Sequence, residues 1–470
     1  MAVLGLIGVG TAVEVDWLSG WRATKPVTSA TPTDPPEPPA SSPGLSLDVL
    51  PAAPPVLDSV SARRAAPVGV EAKIRAAVAR RSELGRSVSV SVAGIRGRPL
   101  WGHDADDLVI PASTLKLLIA TAALSEFTAD HTFETTVVTG RRADSIVLVG
   151  GGDPLLTTTS DPVDAEPGEA AYPPRASLQE LARDTAASLD AEGVRRVRLG
   201  YDSTLFRGPA VNPAWKPSYV SDSVVSPTSA LWVDEGRVVD GYAQRVSDPA
   251  REAADRFVTQ LRKRGIRVVG APSPAPAPTN SVELAAASSP TMAQIVQQVL
   301  EASDNDAAEV LLRQLALASG RPGTTQAGAR AVETILSELG IDMSRVSIVD
   351  GSGLARTNQL SVEVLVDVLQ TAAAPGHPEL RPVVSSLPVA GFTGSLSERF
   401  LYSAPDGLGL VRAKTGTLDG VHGLAGVVVT ADGGVFVFAL VANEVPLPKT
   451  LPARDQLDRI AALLTDCGCG

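Results

Sequence analysis

Between about Asp130 and Ala287 the chain changes texture, and that change constrains its fold more than any other feature. On either side apolar residues recur at helical spacing, as in VGVEAKIRAAVARRSELG before residue 86 and SPTMAQIVQQVLEASDNDAAEVLLRQLALASG from Ser289. Between them short strand-like runs alternate with turns: TFETTVVTG, SIVLVGGGDPLL, VRRVRLGYDS and LWVDEGRVV, then the proline-rich APSPAPAPTN. Only SLQELARDTAASLDAEG and PAREAADRFVTQLRKRG break that pattern with helical periodicity. Such a chain is expected to fold as a discontinuous domain, residues 61–130 and 286–470, interrupted by an inserted α+β domain over 131–285.

The interrupted domain shows strands at both ends. SVSVSVAGI alternates strictly, with Val88, Val90 and Val92 on one face, and RGRPLWGHD completes a hairpin. Near the C-terminus VRAKTGTL, HGLAGVVVTADG and GVFVFALVAN read as an antiparallel meander, to which the hairpin can add two strands. Helices from the two ends of the chain would then cover one face of a five-stranded sheet, which makes the fold class α+β.

Upstream, residues 23–57 hold ten prolines among Ser, Thr and Ala. This composition cannot build a core and predicts an extended linker over 21–60. The first 20 residues open with MAVLGLIGVGTAVEV, too short an apolar run to span a bilayer, and the first basic residue is Arg22. Two readings stand: the apolar part of a signal or membrane anchor, or a buried N-terminal strand. The first suits a globular enzyme held off a membrane on its extracytoplasmic side.

A net charge of −11 argues against a nucleic-acid partner. The two cysteines, Cys467 and Cys469, end the chain in DCGCG, and the four histidines are scattered, so no metal or cofactor site is expected.

Three short motifs sit in order along the interrupted domain: Ser113-Thr114-Leu115-Lys116, Ser303-Asp304-Asn305 and Lys414-Thr415-Gly416. Only seven lysines occur in the chain, and two of them fall here. Their contexts are a helix start, a helix–loop boundary and a strand before the meander. A serine hydroxyl is a weak nucleophile. Lys116, one helical turn on, can serve as its base if a partly desolvated site lowers its pKa, and Lys414 is the natural second cation to help. Ser303 can relay a proton to a leaving amine, and Asn305 can hold the substrate amide or the lysine. A tetrahedral oxyanion needs two N–H donors, most simply those of Ser113 and Thr417. Gly416 is expected to let a substrate backbone approach the strand edge, and Lys414 and Thr415 to meet a free carboxylate. The bland alternative makes Ser113 a helix cap, Lys116 a snorkelling surface residue and Lys414 a surface strand lysine.

The motif set is shared by penicillin-binding proteins and class A β-lactamases. With VGGGDPLL at Val149–Leu156, SPTSALWVDEG at Ser226–Gly236, VDGSGLARTN at Val349–Asn358 and LPVAGFTGSL at Leu387–Leu396, the chain resembles the S13 D-alanyl-D-alanine carboxypeptidases, the class C low-molecular-mass penicillin-binding proteins, from about Val68 to Leu464. The resemblance implies a serine peptidase that removes terminal D-alanine from peptidoglycan stem peptides, cleaves their cross-links, or both, and is acylated by β-lactams. It places Ser113 as nucleophile, Lys116 as base, Ser303 and Asn305 in the middle motif, and Lys414 and Thr415 on the carboxylate-binding strand. Arg356 matches a family arginine near the pocket for the substrate's side-chain end. Asp222, in YVSDSVVSPT, lies near the family's acidic residue at shifted spacing, and the long insertion between the first two motifs, itself the family's habit, is shorter than in its best-known members. Gly150–Pro154 lacks the Lys-Ser/Thr of a phosphate loop and reads as a tight turn.

Three alternatives share these residues: a β-lactamase, an esterase with the same Ser/Lys pair, and a wall-binding scaffold without activity. The first lacks an E-x-x-x-N signature between Asn305 and Lys414, and its compact fold has no room for the long Ser113–Ser303 separation. A scaffold would have no need of all three of Ser113, Lys116 and Lys414.

Overall fold

Following the chain, α1 (Val70–Ala79) leads into a hairpin, β1 (Ser87–Gly94) and β2 (Pro99–His103), and a 3-10 turn at Ala112–Leu115 runs directly into α2 (Lys116–Glu126). Next come β3 (Glu134–Thr139), β4 (Ser145–Val149), α3 (Leu178–Ala191), β5 (Arg196–Asp202) and α4 (Pro249–Lys263). The short strands β6 (Arg267–Val268) and β7 (Ser273–Pro274) precede β8 (Glu283–Ser288). Helices α5 (Met292–Glu301), α6 (Asn305–Ala318), α7 (Thr325–Glu338), α8 (Val362–Ala372) and α9 (Arg381–Ser385) follow. The chain closes with β9 (Val411–Leu418), β10 (Val421–Val429), β11 (Val435–Asn443) and α10 (Thr450–Ala462). The structure is a computed structural model that describes residues 70–79, 83–160, 172–238, 244–430 and 433–466. The apolar start, the proline-rich segment and both cysteines lie outside these residues. No helix among the described residues is long and apolar enough to cross a membrane.

The first sheet has the order β2-β1-β11-β10-β9 and is antiparallel throughout, with β1 paired to β11 from Ser87↔Asn443 to Gly94↔Phe436. The hairpin does join the meander. On one face Val88, Val90, Val92, Leu424, Val428 and Leu440 pack with Ile74 and Val78 of α1 and Leu457 and Ile460 of α10, helices from the two ends of the chain. The other face is also covered: Ala425, Val427, Val437, Ala439 and Val441 share a core with α2 and α5–α8. Ser89 and Ser91, which strict alternation would leave wet, are therefore 1% and 0% exposed. Helix α2 sits at the centre of this layer. Its residues Lys116 to Leu124 are all buried, as an all-round apolar helix demands.

The second sheet has the order β6-β5-β4-β3-β8, with β7 beside β5. It is mixed: β3 pairs antiparallel with β4 and β8, while β4–β5 and β5–β6 are parallel. Parallel neighbours need a crossover, and α3 and α4 supply the two. Leu181 and Leu189 of α3 and Phe257 and Leu261 of α4 bury against Val137, Leu148 and Leu199 of this sheet. Polar contacts fasten it to the first layer. Gln314 on α6 donates to the carbonyls of Gly151 (2.7 Å) and Gly152 (3.2 Å), which pins the segment Gly150–Pro154 against α6. At Gly152, φ is +79° and a Cβ would lie 2.2 Å from Gln314 Nε2.

Candidate active site

Ser113 and Lys116 are brought together by the 3-10 turn. Three residues per turn eclipse positions i and i+3, so the two side chains stack on one edge of the helix entrance. Lys116 Nζ lies 3.0 Å from Ser113 Oγ, 2.7 Å from Asn305 Oδ1 and 2.8 Å from the carbonyl of Ser352. The bland alternative fails on both counts: the turn is capped at Pro111 with no side-chain hydrogen bond, and Lys116 is 0% exposed. The backbone is strained where it presents these groups. Ala112 (φ +49°) precedes Ser113, and Ser303 (φ +60°) precedes the cap of α6, both in the left-handed region that non-glycine residues rarely occupy.

Helix α6 places the middle motif. Asp304 caps it, accepting from Ala307 N at 2.9 Å, which leaves Asn305 as the first helical residue facing Lys116. The other end of the Asn305 amide donates to the Val224 carbonyl at 2.9 Å, so the orientation of this side chain is fixed from both ends.

The Ser352 carbonyl is held by two buried carboxylates. Glu309, one turn after Asn305 on α6, accepts through Oε1 from Gly351 N (2.9 Å), Ser352 N (2.8 Å) and Ser352 Oγ (2.6 Å). Asp350 accepts from Gly353 N (2.9 Å), Ala355 N (2.7 Å), Asn358 Nδ2 (2.7 Å) and Trp215 Nε1 (2.8 Å). Gly353, at φ +84°, lies so close to the Ala112 carbonyl that a Cβ would sit 2.0 Å from it. The whole 350–358 loop is thereby clamped between α6 and the turn carrying Ser113.

Burial, the largest effect, pulls the Lys116 ammonium down to about 8, against the charges of Asp304, Asp350, Glu309 and Asp306, which hold it up. Burial likewise pushes the Glu309 carboxyl up to about 8, with Asp350 adding to it. All three donors to Glu309 converge on Oε1, which leaves Oε2 free to carry that proton.

Strand β9 departs from expectation in two respects. Its Lys414 pairs across from Ala425, on the face that packs against α2, and is 0% exposed. Its Nζ donates to the Thr415 carbonyl at 3.2 Å, and burial together with the nearby Lys116 holds it well below the usual lysine range. It therefore does not reach the face of β9 on which Thr415 and Thr417 lie. At Gly416 a Cβ would meet the Pro111 carbonyl at 2.8 Å and Thr114 Cγ2 at 3.2 Å. The glycine lets β9 lie against the Ser113 turn, where a substrate contact had been expected.

Ser113, Ser303, Asn305, Thr415 and Thr417 line one cavity of about 390 Å³, together with Tyr219, Leu354 and His422. Thr415 Oγ1 donates to Ser395 Oγ at 2.8 Å. At the rim Lys216 pairs with Asp419, and Arg356 donates to the Asp419 carbonyl at 2.7 Å. Asp222 is exposed and is not among the lining residues. Its N–H bonds Ser218 O at 2.6 Å in a turn whose neighbours Lys216, Tyr219 and Val224 line the cavity instead.

Sequence reasoning missed Ser352, Glu309, Asp350, Ser395 and Tyr219. Of these, Glu309 carried a signal: an acid four residues after Asn305 in an apolar helix. Among the described residues Glu235, Asp304 and Asp306 bring carboxylate oxygens within 4.8 Å of one another. Arg237 pairs with Glu235 (2.5 Å) and Arg245 with Asp306 (2.8 Å), which accounts for the cluster without an ion.

The family model for the D-Ala-D-Ala carboxypeptidase 3 (S13) family matches residues 70–242 and 239–464. A carboxypeptidase of Mycobacterium tuberculosis is 34% identical over 445 residues, 93% of this chain and 90% of the relative. Carboxypeptidase DacB of Mycolicibacterium smegmatis is 33% identical over 380 residues, 80% and 79% of the two chains. The crystal structure of penicillin-binding protein 4 from Haemophilus influenzae shares the fold, with a TM-score of 0.70 at 21% identity over 83% of this chain and 99% of that one. Matched by the family model from α1 to just past α10, and a third identical to these mycobacterial carboxypeptidases over the aligned stretches, the chain belongs to the D-Ala-D-Ala carboxypeptidase 3 (S13) family.

Proposed function

We propose that this protein is a serine-type D-Ala-D-Ala carboxypeptidase that works through an acyl-enzyme on Ser113 and takes peptidoglycan stem peptides as substrate. The observation that carries the reading is the set of contacts around Lys116 Nζ. A neutral amine has two hydrogens and one lone pair. Asn305 Oδ1 and Ser352 O accept the two hydrogens, so the lone pair faces Ser113 Oγ.

Lys116 would take the hydroxyl proton as Ser113 Oγ bonds to the penultimate D-alanine carbonyl. Strand β9 is the outer strand of its sheet; residues 388–390 pair with its edge as far as Ala413, whose N–H points outward to Pro388 O at 3.0 Å. Two-residue alternation aims the Thr415 and Thr417 N–H groups the same way. Thr417 N and Ser113 N would then hold the oxyanion. Collapse of the tetrahedral adduct breaks the peptide bond, and the leaving amine of D-alanine takes the proton from Lys116, with Ser303 as relay. Water then hydrolyses the ester by the same route in reverse. The same acyl step would open D-alanyl cross-links, and β-lactams would trap it. The apolar N-terminal segment, as signal or tether, supports work on the extracytoplasmic side.

Incubation with a fluorescent penicillin tests this. A covalent adduct mapped by mass spectrometry to Ser113, absent in Ser113→Ala, together with D-alanine released from a stem pentapeptide, is expected. An adduct that turns over quickly without peptide hydrolysis would make the protein a β-lactamase, and no adduct at all would make it a scaffold.

A further inference from the structure

A carboxypeptidase must recognise a free carboxylate, yet Lys414 lies on the α2 face of β9 and does not line the cavity. The opposite face carries Thr415 and Thr417, and the residue paired across from Thr417 is His422 of β10. His422 is 1% exposed, lines the cavity, and has no hydrogen-bond partner at either ring nitrogen among the described residues. A buried imidazole left so is uncommon and unfavourable, because buried polar atoms are almost always paired. Burial, then the charges of Arg454 and Arg399, push it down to about 4, so at neutral pH it offers one N–H without a charge of its own.

Its surroundings favour an anion. Thr450, the first residue of α10, lines the cavity beside it, and α10 is long enough to carry a positive N-terminal end. Arg399 is answered by Asp458, at 2.9 and 3.1 Å from its Nε. Arg454, in the second turn of α10, has no ion pair among the described residues. Asp458 and Asp455 act on Arg454 as well, and Asp419 at the rim is paired with Lys216, yet the charges felt by His422 itself are those of Arg454 and Arg399, which leaves its surroundings positive.

We propose that His422 donates its ring N–H to the C-terminal carboxylate of the substrate, alongside the hydroxyl of Thr417 and in the field of Arg454 and the start of α10. Lys414 then acts only from behind β9, on Lys116 and on the strand itself. This assignment rests on the carboxypeptidase reading and names the groups by which that site distinguishes an acid from its amide.

The test compares two peptides ending in D-Ala-D-Ala, one with a free carboxylate and one with a C-terminal carboxamide, on the full-length enzyme. His422→Leu is expected to lower the acid-to-amide ratio of kcat/KM about ten- to a hundred-fold, the worth of one hydrogen bond to a charged group, with the loss in KM. His422→Asn should recover part of the ratio. The melting temperature of His422→Leu should hold or rise, since an unpaired polar group is replaced by an apolar one. Arg454→Met, which changes the field and no direct contact, is expected to lower the ratio by less and serves if His422→Leu does not fold. Equal losses on both peptides, or a ratio unmoved in both variants, overturn the role of His422 and leave the carboxypeptidase standing. A wild-type enzyme that cleaves neither peptide takes both down.

Discussion

Lys116 is fully buried, and its amine is pulled down to about 8 from an ordinary 10.5. Acylation needs the unprotonated form. The rate of Ser113 acylation should therefore rise as pH increases through about 8 and level off above it, where an exposed lysine would keep rising to beyond 10. Stopped-flow acylation by a chromogenic β-lactam from pH 6 to 9.5 reads this directly, and an inflection near 6.5 would point to a histidine in its place. Lys116→Met is expected to slow acylation about a thousand-fold, within the range for a lost general base, with the fold intact. At this scale the sequence was most readable where the chemistry is local. Ser113 and Lys116 are neighbours by helix periodicity, and Asn305 could be placed by its helix boundary. Ser352 was invisible because a backbone carbonyl carries no residue type, whatever the side chain above it. Asp222 and Asp419 look alike in a string, and only the fold puts the second and not the first in the lining of the cavity.

The elements were legible in proportion to how local their pattern is. Period-two alternation revealed β1, and the glycine-bearing turns revealed the meander, but alternation implies one wet face and the sheet has none. The second face is covered by α2 and by helices from 292–372, most of them far from β1 in sequence, so no local pattern in β1 could announce them. The mixed sheet was harder still, because a parallel pair leaves no turn to read. The clamp formed by loop 350–358 is an element-scale device with a test of its own. Gly353→Ala would force a side chain to 2.0 Å from the Ala112 carbonyl at a φ of +84°, whereas Gly193→Ala at φ +71° meets nothing within 4 Å. Strain alone should cost Gly193→Ala about 1 kcal/mol. Gly353→Ala should cost about 2–4 kcal/mol and also lose most penicillin acylation, because the displaced loop takes the Ser352 carbonyl from Lys116. Urea unfolding and acylation rates on both variants separate the two terms. Equal stability losses, with acylation kept in both, would mean that the loop does not hold the site.

The molecule as a whole buries an unusual set of acids. Burial pushes Glu309 and Glu235 up to about 8, Asp153 to about 7 and Asp306 to about 6, from ordinary values of 4.5 for glutamate and 3.8 for aspartate. The folded state thus keeps protons that the unfolded chain has already lost. Each of these groups contributes stability that is fully present below its unfolded pKa and is lost as pH rises through the folded one, a window running from about 4 to 8. His422 works in the opposite sense. Its folded value of about 4 lies below the ordinary 6.5, so its contribution is lost as pH falls from about 6.5 to 4. Lys116 and Lys414, held below the ordinary lysine value, also make stability rise with pH. With one histidine and two lysines set against four carboxyls, stability should peak on the acid side of neutrality and fall between about pH 6 and 8. The net charge of −11 pulls in the same direction, since repulsion grows as acids ionise, and a bare fall in stability would not separate the two causes. Glu309→Gln does separate them. Glutamine keeps the acceptor for Gly351 and Ser352 and cannot ionise, while the change in surface charge with pH is untouched. Urea unfolding at pH 6 and 8.5 is therefore expected to show a smaller difference in Glu309→Gln than in the wild type. The same difference in both would mean that Glu309 carries no proton in the folded protein and that the loop behind Lys116 rests on a buried charge.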